Sequence, residues 1–134
     1  MIDLRNQAAI VGFGYVPFGK RGQYAERGHL RLVIEAITAA CADAGITPRD
    51  VDGYSSYYTP IDPPDLAEAF GAPRLRYASQ AWGGGGAAMC GAFHNAAMAV
   101  AGGTVRPSSA STRSVSWPHR GASPSTERLR EKRT

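Results

Sequence analysis

The residues with the clearest capacity for chemistry lie close together between positions 82 and 94. Trp82-Gly83-Gly84-Gly85-Gly86 runs into a helix-like, alanine-rich segment, Ala87 to Gly103, that carries Cys90 and His94. Four consecutive glycines lose more backbone freedom on folding than any other residues would, so something there needs bare main chain. A sharp turn would do, as would a close approach of two backbones, or a ligand held against unpaired N–H groups at a helix start. The residues alone leave these three open, and Gly83, Gly84, Gly85 and Gly86 are the candidate substrate-binding positions. Cys90 offers a thiolate nucleophile in principle. One turn inside the helix, however, a free thiol reads more readily as a small buried packing group. His94 tempts as a general base, but no acid–base partner lies near it in the sequence, and a packed or surface histidine is the preferred reading. Tyr54, Tyr57 and Tyr58 have the makings of a groove wall, although aromatic residues in a strand more often belong to the core.

The composition narrows the class. A chain of 134 residues is long enough for one domain with its own core. Its net charge of +4 is uneven: residues 1–103 carry eight basic and nine acidic side chains, and residues 104–134 carry seven and two. The basic character therefore belongs to the tail and says nothing about partners of the body. Two cysteines, Cys41 and Cys90, are too few for a disulfide scaffold and lack metal-ligand spacing, which fits a reduced, cytoplasmic protein without a resident metal. The N-terminus reads without a signal peptide, and the stretch Ala87 to Ala101 is too short and too polar to span a bilayer.

Positioning the glycine turn requires a framework, and the sequence supplies most of one. Ala8 to Val16 is an apolar run punctuated by Gly12 and Gly14 that reads as a buried first strand. Gly12, Gly14 and Gly19 do not have the dinucleotide spacing, which disfavours a nucleotide-binding domain. Leu30, Val33, Ile34, Ile37, Ala40, Cys41 and Ala44 share one helical face, with Gly45 as the stop. Thr47-Pro48-Arg49-Asp50 reads as a single capped turn, and Val51 to Tyr58 as a second strand. Asp62 to Gly71 reads as a short helix with Asp62 as its cap, and Leu75 to Ser79 as a third strand. The third helix, roughly Gly86 to Ala101, is built mainly from alanine and reads as buried on several sides. Strand and helix alternate throughout, so the fold class is α/β with crossovers, β-α-β-α-β-α.

Taken in order, several segments resemble one family. Ala9-Ile10-Val11-Gly12-Phe13-Gly14-Tyr15-Val16-Pro17-Phe18-Gly19-Lys20 comes first, then Ala42-Asp43-Ala44-Gly45-Ile46 with Asp50-Val51-Asp52-Gly53. Leu66-Ala67-Glu68-Ala69-Phe70-Gly71 and the glycine-rich helix ending Ala97-Met98-Ala99-Val100-Ala101-Gly102-Gly103 complete the set. Together they look like the N-terminal quarter of a thiolase-like protein, closest to the bacterial lipid-transfer group related to sterol carrier protein thiolases. The resemblance implies a partial thiolase-like N-terminal half-domain over 1–103, a homodimer in the full-length family and an acyl-CoA thioester as substrate. Coenzyme A would enter only as part of that substrate, with no other cofactor. In catalytic members a cysteine stands at the start of the buried helix; aligning on Ala92 and Gly102-Gly103 puts that position at Gly86. Its loss resembles the branch of retro-aldolases that act on acyl-CoA thioesters with a steroid side chain, using downstream tyrosines and a partner protein with an OB-fold. By that resemblance the glycine turn shapes the thioester pocket instead of attacking it.

Beyond Gly103 the character changes. Residues 104–134 hold seven serines and six arginines with few sizeable apolar groups, which reads as a disordered basic tail with no strand following the third helix. Without aromatic interleaving or a groove-reading motif the tail is not read as a nucleic-acid arm. Ser, Arg and Pro are what a shifted frame of GC-rich DNA tends to encode, so the boundary reads as a frameshift near Gly103, which the gene beyond that codon tests. The sequence thus points to part of a thiolase-like acyl-CoA enzyme, inactive alone, for acyl transfer or retro-aldol cleavage. The rival reading is a non-catalytic lipid or acyl-CoA carrier, or a regulatory subunit pairing with a complete thiolase-like chain.

Overall fold

The computed structural model describes residues 5–20, 22–57, 59–83, 85–105 and 114–115. Within them three α-helices pack on a small parallel sheet: α1 His29–Asp43, β1 Gly53–Tyr57, α2 Pro63–Ala69, β2 Tyr77–Ala81, α3 Gly85–Ala101 and β3 Ser114–Val115. The sheet order is β2-β1-β3. β1 and β2 pair in parallel from Gly53↔Tyr77 to Tyr57↔Ala81, so α2 is a crossover connection between neighbouring strands.

Alternation along β1 divides the molecule into layers. Tyr54 joins the core formed with Val33, Ile37 and Cys41 of α1 and Leu66 of α2. Ser55, the next residue, turns to the opposite side and meets α3. Successive side chains of a strand point to opposite faces, so α1 and α2 cover one side of the sheet and α3 the other.

All three helices end in the same way. A glycine in the left-handed region follows each cap residue: Gly45 at φ 68°, Gly71 at 61° and Gly103 at 69°. The N–H groups of Gly45 and Ile46 bond back to the carbonyls of Ala42 and Cys41, and equivalent pairs close α2 and α3. These are Schellman ends, and the glycines are the stops expected from the sequence. The turn at Pro48–Asp50 is also as expected, with the Asp50 carboxylate accepting from the Thr47 hydroxyl at 2.8 Å. Asp62 occupies the N-cap of α2 but its side chain caps nothing. Pro63 and Pro64 carry no N–H, and the Asp65 N–H bonds to the Asp62 carbonyl instead, which removes the donors a capping carboxylate would accept.

Three expectations are corrected. Ala8 to Val16 forms no strand. It lies across α1, where a Cβ on Gly14 would stand 2.3 Å from the Ala36 carbonyl oxygen and one on Gly12 2.4 Å from that of Ala40. Its larger side chains face outward, with Ile10 82% and Phe13 72% exposed. An apolar run has strand composition, but a strand needs a partner edge, which composition does not specify. Second, α3 is buried on one side only, along Ala92, Ala96 and Ala99, because the sheet covers only that side. Third, a strand does follow α3: Ser114–Val115 pairs in parallel with Gly53 and Tyr54, since main-chain groups on the free edge of β1 can pair with any backbone. The remainder of the tail, and with it the expectation of disorder, lies outside the described residues apart from Thr104 and the buried Val105.

Candidate functional site

The turn between β2 and α3 separates the glycines by what each needs. Gly83 has φ 136° and Gly85 φ 68°, both in the region that a side chain disfavours. Gly86 differs: a Cβ placed on it would meet nothing within 4 Å. The turn therefore requires glycine at 83 and 85, while position 86 has room for a side chain. Gly84 lies outside the described residues. The Tyr57 hydroxyl, at the end of β1, reaches the Gly83 carbonyl at 3.4 Å and ties the turn to the sheet.

Polar contacts fix α3 behind this turn. Buried Ser55 donates its hydroxyl proton to the Ala92 carbonyl at 2.7 Å. That proton is then committed, so the 2.9 Å contact between the Ser55 and Ser79 hydroxyls has Ser79 as donor. One turn further on, the Tyr77 hydroxyl donates to the Asn95 carbonyl at 3.3 Å. Hydroxyls from both strands thus hold the helix at two levels. Its start, exposed at Gly85, Gly86 and Ala87, presents main-chain N–H groups to solvent. Such a helix start favours negative charge, as on a carbonyl oxygen that becomes an oxyanion or enolate.

The other candidates sit apart from that start. Cys90 is a free thiol and exposed, which corrects its reading as a buried packing group: it falls on the side of α3 that the sheet does not cover. His94 is exposed on the same helix. At 1.5 Å of rise per residue, they lie roughly 6 and 12 Å along the axis from Gly86. Among the tyrosines, Tyr54 is core and Tyr57 half-buried beside the turn, while Tyr58 lies outside the described residues.

Sequence reasoning passed over Ser55, whose signal was only a serine in a hydroxyl-rich strand. It also gave no hint that the Tyr54 hydroxyl is fully buried without a hydrogen-bond partner. Burial, and secondarily the nearby Cys41, pushes the Tyr54 phenol up to about 12. No group of three or more His, Cys, Asp or Glu that could hold a metal occurs among the described residues. Nor is any helix among them long and apolar enough to cross a membrane.

No protein-family model matches the chain. It is 44% identical over 103 residues to the 17-hydroxy-3-oxo-4-pregnene-20-carboxyl-CoA lyase of Mycobacterium tuberculosis, covering 76% of this chain and 26% of the lyase. It is 42% identical over 102 residues to the steroid side-chain-cleaving aldolase of Thermomonospora curvata, covering 75% of this chain and 25% of that enzyme. The solved Ltp2-ChsH2(DUF35) aldolase superposes with a TM-score of 0.62 at 40% identity, over 73% of this chain and 25% of that one. Over three quarters of its length, then, the chain is related to steroid side-chain aldolases and lyases, and it spans about a quarter of theirs.

Proposed function

We propose that the chain forms part of a thiolase-like, steroid-degrading acyl-CoA aldolase and that it supplies the glycine turn and α3 to a site completed by other residues. The substrate class is a hydroxylated steroid side chain carried as a coenzyme A thioester. In a retro-aldol cleavage the hydroxyl β to the thioester carbonyl loses its proton and the carbon–carbon bond to the α-carbon breaks. The products are a ketone and a thioester enolate, which then takes up a proton. The enolate oxygen is where charge develops, and donors placed at that oxygen lower the barrier. The start of α3 fits that role, and the spare room at Gly86 is available to substrate.

The observation that carries this reading is the match of three quarters of the chain, at over 40% identity, to enzymes named for this cleavage. On this reading the base and the rest of the pocket are supplied by other polypeptide, as are the OB-fold partner and the second protomer that the family resemblance implies. The chain is thus expected to be inactive alone. Incubation with 17-hydroxy-3-oxo-4-pregnene-20-carboxyl-CoA tests it: no release of the 17-ketone is the expected result, and turnover by the isolated chain would contradict it. Stoichiometric binding of the thioester without turnover, unaffected by any complementing chain, would favour the carrier reading instead.

A further inference from the structure

Trp82 is 72% exposed, and it stands where the chain leaves β2 for the glycine turn. Its neighbour Ala81 ends β2 and pairs in register with Tyr57, which ends β1, so Trp82 lies at the carboxyl end of both parallel strands. Open parallel sheets bind their ligands at that end. A tryptophan is ordinarily among the better covered side chains, and apolar and aromatic groups line most small-molecule sites.

Two observations decide what the indole would meet. Gly85, the first residue of α3, is three residues on, and consecutive Cα atoms are about 3.8 Å apart, so Trp82 lies within about 11 Å of the helix start. No Asp, Glu, Lys or Arg occurs between Arg76 and Arg106. The phosphates at the nucleotide end of coenzyme A call for basic partners, which this stretch does not offer. A steroid nucleus is uncharged and calls for none. In a 17-hydroxy-20-carboxyl thioester the hydroxylated carbon is a ring carbon two bonds from the thioester carbonyl carbon, so the rings begin beside the reacting group. We infer that Trp82 is a specificity-determining residue whose indole packs on the steroid nucleus while the thioester carbonyl lies at the start of α3. This rests on the proposed function for the place of the thioester. The Tyr57 hydroxyl, 3.4 Å from the Gly83 carbonyl, ties down the residue next to Trp82 and keeps the indole near the helix start.

The chain has two tryptophans, so Trp117→Phe leaves Trp82 as the sole indole emitter. Titrating this variant of the complete chain with 17-hydroxy-3-oxo-4-pregnene-20-carboxyl-CoA is expected to change its emission saturably. Acetyl-CoA, which lacks the rings, is expected to leave it unchanged. Equilibrium dialysis, which does not depend on the indole, gives the affinity of the other variants. Trp82→Ala is expected to weaken binding of the steroid thioester roughly fivefold or more, and Trp82→Phe about twofold at most. Met98→Ala, at an exposed position roughly 18 Å along α3 from Gly86, leaves it unchanged. No saturable change in Trp82 emission overturns the inference, as does an equal response to acetyl-CoA or undiminished binding by Trp82→Ala. Binding that depends on Trp82, without cleavage even when the T. curvata aldolase lacking the matched segment is added, upholds the inference and counts against the proposed function. Cleavage by that mixture with undiminished binding by Trp82→Ala does the reverse, so the two failures are distinguishable.

Discussion

The Ser55 hydroxyl donates to the Ala92 carbonyl at 2.7 Å, joining the centre of the sheet to the middle of α3. Ser79 donates to Ser55 in turn. Ser55→Ala would leave the Ser79 hydroxyl without its acceptor in a partly buried place. A loss of about 1–2 kcal/mol is expected in urea unfolding, the usual cost of an orphaned polar group. A cost near zero would show that the pair does not hold the helix.

The turn glycines divide into two classes with opposite expected effects. Gly83→Ala and Gly85→Ala force a side chain into the left-handed region and are expected to cost about 1–2 kcal/mol each. Gly86→Ala meets open space in the first turn of α3 and is expected to be neutral or to stabilise by up to about 1 kcal/mol. Thermal melts of the three variants check the order.

Tyr54 supplies a pH dependence. Its phenol is pushed up to about 12 in the folded chain, against 10.0 for an ordinary tyrosine. The folded state therefore holds the proton more tightly than the unfolded one. The corresponding stability is whole below pH 10 and is lost as pH rises from there towards 12. Tyr54→Phe removes the orphaned hydroxyl, so it is expected to flatten this loss and to leave neutral-pH stability equal or higher by about 1 kcal/mol. Equal alkaline unfolding of both proteins would count against the buried, unpartnered hydroxyl.

Gly14 tests the course of the N-terminal segment. An alanine there would press into the backbone of α1 at Ala36 and Ala40, and neither can yield without moving the helix. Gly14→Ala is expected to destabilise by about 1–3 kcal/mol, as overpacking does. No effect would mean that the segment does not lie across α1.

Local signals were legible where local physics decides. The Val33, Ile37, Cys41 stripe fixed α1, and Gly45 and Gly71 marked where helices stop, because a left-handed residue after a helix is a requirement of the chain itself. The glycine turn was legible as bare backbone, but its division into required positions 83 and 85 and a permissive position 86 was not, since only dihedral angles and surrounding space show it. Partnership was the blind spot. Ala8 to Val16 has strand composition and no strand partner, Ser114–Val115 has a partner and little strand composition, and Cys90 looked buried because its helix is apolar on both sides. Each error comes from reading composition where a tertiary neighbour decides.

The proposed contribution of this chain is one part of an aldolase site that is complete only with the rest. The most direct measurement follows 17-ketone release from 17-hydroxy-3-oxo-4-pregnene-20-carboxyl-CoA by three samples: the chain alone, the T. curvata aldolase lacking the matched segment, and the two together. Cleavage by the mixture alone is the predicted result. Cleavage by the isolated chain, or none by a mixture that has formed its complex, would contradict it.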